Sequence, residues 1–219
     1  MKTNLTELVF ILDKSGSMSG LESDTIGGYN AMLKKQQEEA GEATITTVLF
    51  DDKYELLHDR INIKGVRPIT DKEYFVEGST ALMDAIGKTI QKMANVQKNT
   101  SEDQRADQVV FVITTDGMEN ASREYTSERI KKMVEHQKEK YNWEFIFLGA
   151  NIDAVATAAD FGINANRTAN FHADAKGIDL SYQAVSDVVC EMRQCKMISP
   201  DWKSKIDDDY KKRGKADKK

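Results

Sequence analysis

Short apolar runs alternate with amphipathic helical patterns along most of this chain, and this alternation constrains the fold more than any other feature. Strand-like runs occupy residues 7–12, 43–50, 108–114, 143–149 and, more weakly, 167–171. Helical periodicity lies between them, over residues 25–40, 80–93, 126–140, 154–160 and 180–195. Strands that are separated by helices predict βαβ units, and therefore a parallel sheet with helices on both faces.

One further run departs from this alternation. Residues 54–63 follow the second strand with no helix between them, so we expect an antiparallel strand at the edge of the sheet. The predicted fold class is therefore α/β: a doubly wound, mostly parallel, Rossmann-like sheet with one antiparallel edge strand and helices on both faces.

The composition predicts one domain followed by a tail. Of the 219 residues, 40% are hydrophobic, which is enough to form a sizeable core. After Trp202 the sequence is highly charged and almost without apolar residues, and such a segment buries too little surface to offset its ordering entropy. We expect a domain over residues 1–200 and a charged tail over residues 201–219, which is either disordered or a frayed helix, with an interaction arm as a less favoured alternative.

Charge and composition also limit the class of protein. A net charge of −5 argues against nucleic-acid binding, which needs a basic surface. Residues 1–7 lack the apolar segment of a signal peptide, and no apolar run approaches the roughly 20 residues of a membrane span. We expect a cytoplasmic protein without membrane contact, and in that compartment no disulfide between Cys190 and Cys195.

Hydroxyl and carboxylate side chains are grouped in three distant segments beside predicted strands or helices. Asp13, Ser15 and Ser17 directly follow the first apolar run, Thr80 ends a Gly-Ser-Thr sequence, and Asp116 follows the run 108–114. In an open α/β sheet, ligands bind beyond the carboxyl ends of the strands, where the strand order reverses. If the first strand and the 108–114 strand are neighbours there, the three segments meet and form an oxygen-rich cation site.

Each segment alone has a simpler interpretation. Asp and Ser are common in turns and helix caps, Thr80 suits the N-cap of the following helix, and Asp116 with Gly117 suits a turn. The combination after two buried strands favours the metal site. A phosphate-binding loop at Gly87-Lys88-Thr89 is rejected because Leu82 stands where that motif needs glycine.

The same residues carry a resemblance to a known family. A DxSxS sequence, a separate threonine and a separate aspartate, in this order and at this spacing, resemble the metal-ion-dependent adhesion site (MIDAS) of von Willebrand factor A (vWA) domains. The resemblance covers residues 5–195, and segments 78–86, 114–122 and 147–154 are similar to stand-alone bacterial members, including those of the tellurite-resistance type.

The resemblance implies a role for each residue. Ser15 and Ser17 would coordinate a cation through their hydroxyls, Thr80 would do so directly or through water, and Asp13 and Asp116 would hold coordinated waters. Hard oxygen ligands suit Mg²⁺ or Mn²⁺, with Ca²⁺ less favoured. With few anionic ligands the cation would keep an open position, which a carboxylate from a partner protein would fill. Glu119 and Asn120 are expected at the rim.

Two classes of function follow. The first is a non-enzymatic module that binds an acidic residue of a protein partner through the cation, alone or as a subunit of a larger complex. The alternative is a metal-assisted hydrolase or phosphoryl-transfer enzyme, which would need a base or nucleophile beside the ion. Lys14 is the one such group in the three segments, and we expect its side chain to point away. We therefore predict no catalytic residues and no organic cofactor.

Overall fold

The first strand, β1 (Leu5–Asp13), lies inside a six-stranded sheet in the computed structural model, which describes residues 4–195 and 197–216. The other strands are β2 (Glu42–Phe50), β3 (Tyr54–Asn62), β4 (Gln108–Thr115), β5 (Glu144–Ala150) and β6 (Thr168–Phe171). They are arranged in the order β3-β2-β1-β4-β5-β6, and all are parallel to their neighbours except β3. The predicted mostly parallel sheet with one antiparallel edge strand is confirmed.

Six helices surround this sheet in the described part of the chain. They are α1 (Glu22–Glu38), α2 (Leu82–Asn99), α3 (Ser127–Tyr141), α4 (Ala154–Asp160), α5 (Ala175–Cys195) and α6 (Ser204–Ala216). The first five correspond to the predicted helices, with shifted ends. Helix α5 begins earlier than expected, and near its start Asp174 accepts a hydrogen bond of 2.8 Å from the Gly177 amide.

Successive residues of β1 point to opposite faces of the sheet, and each face has its own apolar core. Leu8, Phe10 and Leu12 pack in a cluster with α1 and α5, while Val9 and Ile11 pack in a second cluster with α2, α3 and α4. All five side chains are fully buried. Strands that are covered on both faces read as continuous apolar runs, which explains the unbroken sequence of β1.

A buried ion pair lies under the antiparallel edge strand. Glu7 of β1 is fully buried, and its Oε2 accepts a hydrogen bond of 2.8 Å from Nε of Arg60 in β3. Arg60 has a φ of 51°, and the pairing of β2 with β3 shifts register on either side of Thr47. Such a shift is typical of a β-bulge, which bends and twists the strand that carries it.

The expectation of a disordered tail is wrong for residues that the structure describes after 200. Trp202 and Ile206 are buried, and helix α6 packs against β6 and α5. Trp202 Nε1 donates a hydrogen bond of 2.8 Å to the Asn166 carbonyl, and Arg213 is paired with Asp174 and Asp209. Two apolar side chains and these ion pairs anchor a segment that composition alone marks as solvated. Residues 217–219 of the predicted tail lie outside the described residues.

No helix in the described ranges is long and apolar enough to cross a membrane. Cys190 is a free thiol, and its sulfur accepts a hydrogen bond of 3.1 Å from Gln36 Nε2. Burial raises the pKa of the Cys190 thiol, so this group ionises less readily than a solvated cysteine.

Replacing Trp202 tests whether α6 is an integral part of the fold. Trp202→Ala removes a large buried ring and a hydrogen bond, and we expect it to lower the free energy of unfolding by about 3 kcal/mol. Urea denaturation followed by far-UV circular dichroism measures this change. The exposed Lys211 of the same helix provides the control, since Lys211→Ala should change stability by less than about 0.5 kcal/mol. Equal stability of the two variants would contradict the docking of α6.

Candidate metal centre

The sheet order places the three oxygen-bearing segments at one edge. Strands β2 and β3 lie on one side of β1, and β4, β5 and β6 lie on the other, so the strand order reverses between β1 and β4. These two strands are parallel, with Leu12 paired to Thr114. The loops that follow them therefore start side by side, as the sequence predicted.

Three hydroxyl groups and one carboxylate, from these two loops and from the segment that leads into α2, are in contact. The Oγ atoms of Ser15 and Ser17 are 3.1 Å apart, and Thr80 Oγ1 donates a hydrogen bond of 3.0 Å to Ser15 Oγ. Ser17 Oγ donates a hydrogen bond of 2.5 Å to Asp116 Oδ1. The structure thus brings together four of the five predicted residues in a single cluster of oxygens.

Asp13, the fifth residue, lies directly behind this cluster. Its Oδ1 accepts a hydrogen bond of 2.8 Å from the Ser15 amide, and its Oδ2 accepts one of 2.5 Å from Thr115 Oγ1. Burial raises the pKa of Asp13 to about 6, although the hydrogen bonds from Ser15 and Thr115 favour the ionised form. Because both carboxylate oxygens are engaged, Asp13 fixes the loop that presents Ser15. Thr115 was missed by the sequence analysis.

Asp116 contributes a buried oxygen that has no partner. The residue is 1% exposed, and its Oδ2 accepts no hydrogen bond from the described residues. Burial raises the pKa of Asp116, although the hydrogen bond from Ser17 acts in the opposite direction. A buried carboxylate oxygen without a partner is costly unless a cation or water satisfies it.

The neighbouring Gly117 allows the loops to approach this closely. A Cβ atom at this position would lie 2.8 Å from Ser17 Oγ and 3.1 Å from Thr80 Oγ1. Any larger residue would therefore push into the hydroxyl cluster, and glycine leaves that space to the oxygens.

The oxygens are separated by ordinary hydrogen-bond distances, which are also close to the spacing of adjacent ligands around a small divalent cation. Adjacent ligands of an octahedral Mg²⁺ ion lie about 2.9 Å apart, given Mg–O distances of about 2.05 Å. The Ser15–Ser17 and Ser15–Thr80 oxygen pairs are separated by 3.1 and 3.0 Å. A site of a different kind, made of three or more His, Cys, Asp or Glu side chains, does not occur among the residues that the structure describes. Hydroxyls with two carboxylates are a hard donor set, which suits divalent cations that bind oxygen ligands.

Thr80 is held in place by Asn120 and does not cap a helix. The Thr80 amide donates a hydrogen bond of 2.9 Å to Asn120 Oδ1, and the Asn120 amide donates one of 3.0 Å to the Thr80 carbonyl. Helix α2 begins at Leu82, with Ala81 in the N-cap position and no side-chain cap. The simpler interpretation of Thr80 as an N-cap is therefore wrong, since its hydroxyl faces Ser15. Asn120, expected only at the rim, orients Thr80.

The loop after Asp116 is fixed to the start of α2 by two further carboxylates. Asp84 accepts hydrogen bonds of 2.9 Å from the amides of Arg123, Glu124 and Tyr125. Glu119 accepts hydrogen bonds from the Met83 amide and from Ser122. Asp84 was missed, because an aspartate in the first turn of a helix carries no signal of a loop that lies some forty residues further on.

The fold of this chain is similar to that of several solved structures. No protein-family model matches the chain, and no curated protein sequence matches it significantly. Among solved structures, the vWF domain of the type V pilus tip protein Mfa5 from Porphyromonas gingivalis is similar, with a TM-score of 0.62 at 11% identity. The match covers 91% of this chain and 99% of that domain. The chain therefore has the fold of vWA domains.

Two other similar structures are parts of longer chains. The D319A mutant of the PilB minor pilin from Streptococcus sanguinis has a TM-score of 0.59 at 12% identity, with 86% of this chain and 62% of that chain covered. Proximal thread matrix protein 1 from the mussel byssus, with zinc in its MIDAS motif, has a TM-score of 0.58 at 13% identity. That match covers 84% of this chain and 46% of the mussel protein, so this chain spans about half of it.

The role of Asp84 can be tested through its pH dependence. Burial acts to raise the pKa of Asp84, but the three backbone donors outweigh it and hold the pKa below its ordinary value. Its contribution to stability is therefore complete above the unfolded-state pKa of about 4 and is lost as the pH falls through the lower, folded-state pKa. We expect Asp84→Asn to lower the free energy of unfolding by about 2 kcal/mol at pH 7.

Urea denaturation in EDTA at pH 7 and pH 3 measures this difference. The loss in free energy of unfolding caused by Asp84→Asn should be smaller at pH 3 than at pH 7. Asp208→Asn, at an exposed position, should change the free energy of unfolding by less than about 0.5 kcal/mol at both pH values. A deficit that stays constant with pH would show that the charge of Asp84 does not hold the loop.

Proposed function

We propose that this protein is a metal-dependent protein-binding module, in which one Mg²⁺ or Mn²⁺ ion is held at the edge of the sheet. Ser15, Ser17 and Thr80 would supply hydroxyl ligands, Asp13 and Asp116 would supply negative charge, and Asp116 would also hold a water through its unpartnered oxygen. The observation that carries this proposal is the convergence of three hydroxyls from two loops at 3.0 and 3.1 Å, beside the unpartnered buried oxygen of Asp116.

The charge balance supports a carboxylate as the natural partner. When bound, a divalent cation supplies a positive centre that attracts oxygen ligands of opposite charge. Asp13 and Asp116 are the two carboxylates of the cluster, and both oxygens of Asp13 are already taken by Ser15 and Thr115. The ion would thus keep much of its charge, and an Asp or Glu side chain of another protein would bind it better than water does.

The enzyme alternative has less support because, among the residues that the structure describes, no histidine or lysine is placed as a base beside the hydroxyl cluster. His58 is hydrogen-bonded to Thr47, His172 stacks on Tyr210, and His136 packs edge-on against Tyr141. Lys14 Nζ pairs with Glu55 at 3.1 Å, away from the hydroxyl cluster. General acid–base catalysis needs such a group within hydrogen-bonding reach of the reacting atom.

The fold supports the same proposal. Similar structures include a pilus tip protein, a minor pilin and a byssus matrix protein with zinc in its MIDAS motif. The resemblance of segments 78–86, 114–122 and 147–154 to stand-alone bacterial vWA proteins of the tellurite-resistance type suggests a bacterial cytoplasmic protein, alone or within a larger complex.

Isothermal titration calorimetry with Mn²⁺ and Mg²⁺ tests the ligands. Replacing both Ser15 and Ser17 by alanine removes two hydroxyls, and we expect the affinity to fall at least about tenfold, or about 1.4 kcal/mol. Ser19→Ala is the matched control, because Ser19 is exposed in the same loop and outside the oxygen cluster. If the Ser15→Ala, Ser17→Ala protein bound the ion as tightly as the wild type, the site would lie elsewhere.

Affinity capture from a lysate of the source organism, with Mg²⁺ or with EDTA, tests the function. A specific partner should be retained by wild type and Ser19→Ala in Mg²⁺, and lost in EDTA or with Ser17→Ala. Phosphate-ester and nucleotide hydrolysis should stay at the level of the blank. Mg²⁺-dependent hydrolysis that is abolished by Ser15→Ala would instead establish the enzyme.

A further inference from the structure

Lys14, inside the Asp-x-Ser-x-Ser sequence, has a buried side chain whose ammonium group contacts carboxylates outside the hydroxyl cluster, in agreement with the predicted orientation. The residue is 2% exposed. Its Nζ lies 3.1 Å from Glu55 Oε2 and 3.8 Å from both Asp51 Oδ2 and Glu77 Oε1. The Phe75 ring packs over it, with the ring centroid 4.5 Å from Nζ.

These contacts connect the loop after β1 to the end of β2, to β3 and to the segment that leads to Thr80. Asp51 follows β2, Glu55 belongs to β3, and Phe75 and Glu77 belong to the segment that leads to Thr80. Backbone hydrogen bonds follow the same path. The Glu77 amide donates to the Lys14 carbonyl at 3.0 Å, and the Gly16 amide donates to the Gly78 carbonyl at 3.1 Å.

The charges of this arrangement converge on Lys14. A buried ammonium group is stable only when it is paired, and here three carboxylates surround it. Two of them, Glu55 and Glu77, lie on different segments and would repel each other without the central positive charge. Lys53 also pairs with Glu77, at 3.2 Å, but its side chain is 67% exposed and its charge is screened by solvent.

We propose that Lys14 is a positioning residue for the metal centre. Its charge holds the Thr80 segment against the Asp13–Ser17 loop, and so sets the 3.0 Å contact between Thr80 Oγ1 and Ser15 Oγ. This inference rests on the proposed metal-binding function.

The sign of the effect separates positioning from simple electrostatics. Removing a positive charge close to a cation site should strengthen cation binding if Lys14 acted through its charge on the ion alone. Loss of the contact that sets the ligand spacing should weaken binding, since Mg²⁺ demands near-ideal octahedral geometry. The two explanations thus predict changes of opposite direction.

The experiment compares Mn²⁺ affinity by calorimetry for wild type, Lys14→Met, Lys14→Arg and Lys53→Met, at a temperature where circular dichroism shows all four to be folded. We expect Lys14→Met to bind at least about tenfold more weakly, or about 1.4 kcal/mol. Lys14→Arg should recover most of the affinity, since it keeps the charge. Lys53→Met, which removes the exposed partner of the same Glu77, should bind within about twofold of wild type.

Equal or tighter binding by Lys14→Met would overturn the inference while leaving the metal site intact. Absence of Mn²⁺ binding by the wild type would overturn the proposed function and this inference with it. If Lys14→Met does not fold, Glu77→Gln tests the same contact in metal-free protein by hydrogen exchange. The Gly16 amide should then exchange at least about tenfold faster than in wild type, because opening of this segment costs less. Unchanged exchange would also overturn the inference.

Discussion

The parallel pairing of β1 with β4 is the constraint on which the candidate site depends. It aligns Leu12 with Thr114, so that the residues after them, Asp13 and Thr115, are close enough for a hydrogen bond of 2.5 Å. Two loops that are about a hundred residues apart in sequence thereby become neighbours. The buried apolar side chains on both faces of β1 hold this register, because a slip by one residue would turn each of them to the opposite face.

The site concentrates polar groups that a stable core would exclude. Asp13 and Asp116 are almost completely buried, and burial raises the pKa of both carboxyl groups. The two apolar clusters supply the stability that tolerates this cost. A cation bound among these oxygens would interact with the folded chain alone and would therefore stabilise it, by an amount that rises with the logarithm of the ratio of its concentration to its Kd.

The sequence predicts the sheet and its antiparallel edge, because both depend on local patterns, and it predicts the meeting of the site segments through the rule that ligands bind where the strand order reverses. Apolar runs define the strands, and the Asp-x-Ser-x-Ser sequence marks the loop after β1. The parts that were missed depend on contacts between distant residues. Thr115 and Asp84 act through hydrogen bonds to groups about 100 and 40 residues away, respectively, and neither residue type is unusual in its place. Helix α6 was missed because two buried side chains, Trp202 and Ile206, and a few ion pairs anchor an otherwise charged segment.

The bulge at Arg60 has a consequence for how molecules of this protein meet one another. An edge strand normally offers a regular row of unpaired amides and carbonyls, to which a strand of another chain can add. In β3 the register shift near Thr47 and the left-handed backbone of Arg60 interrupt this row, and a charged side chain is drawn inward to Glu7. Strand addition along β3 would have to straighten the strand and separate a buried ion pair. The irregular edge is therefore a poor template for a strand from a second molecule.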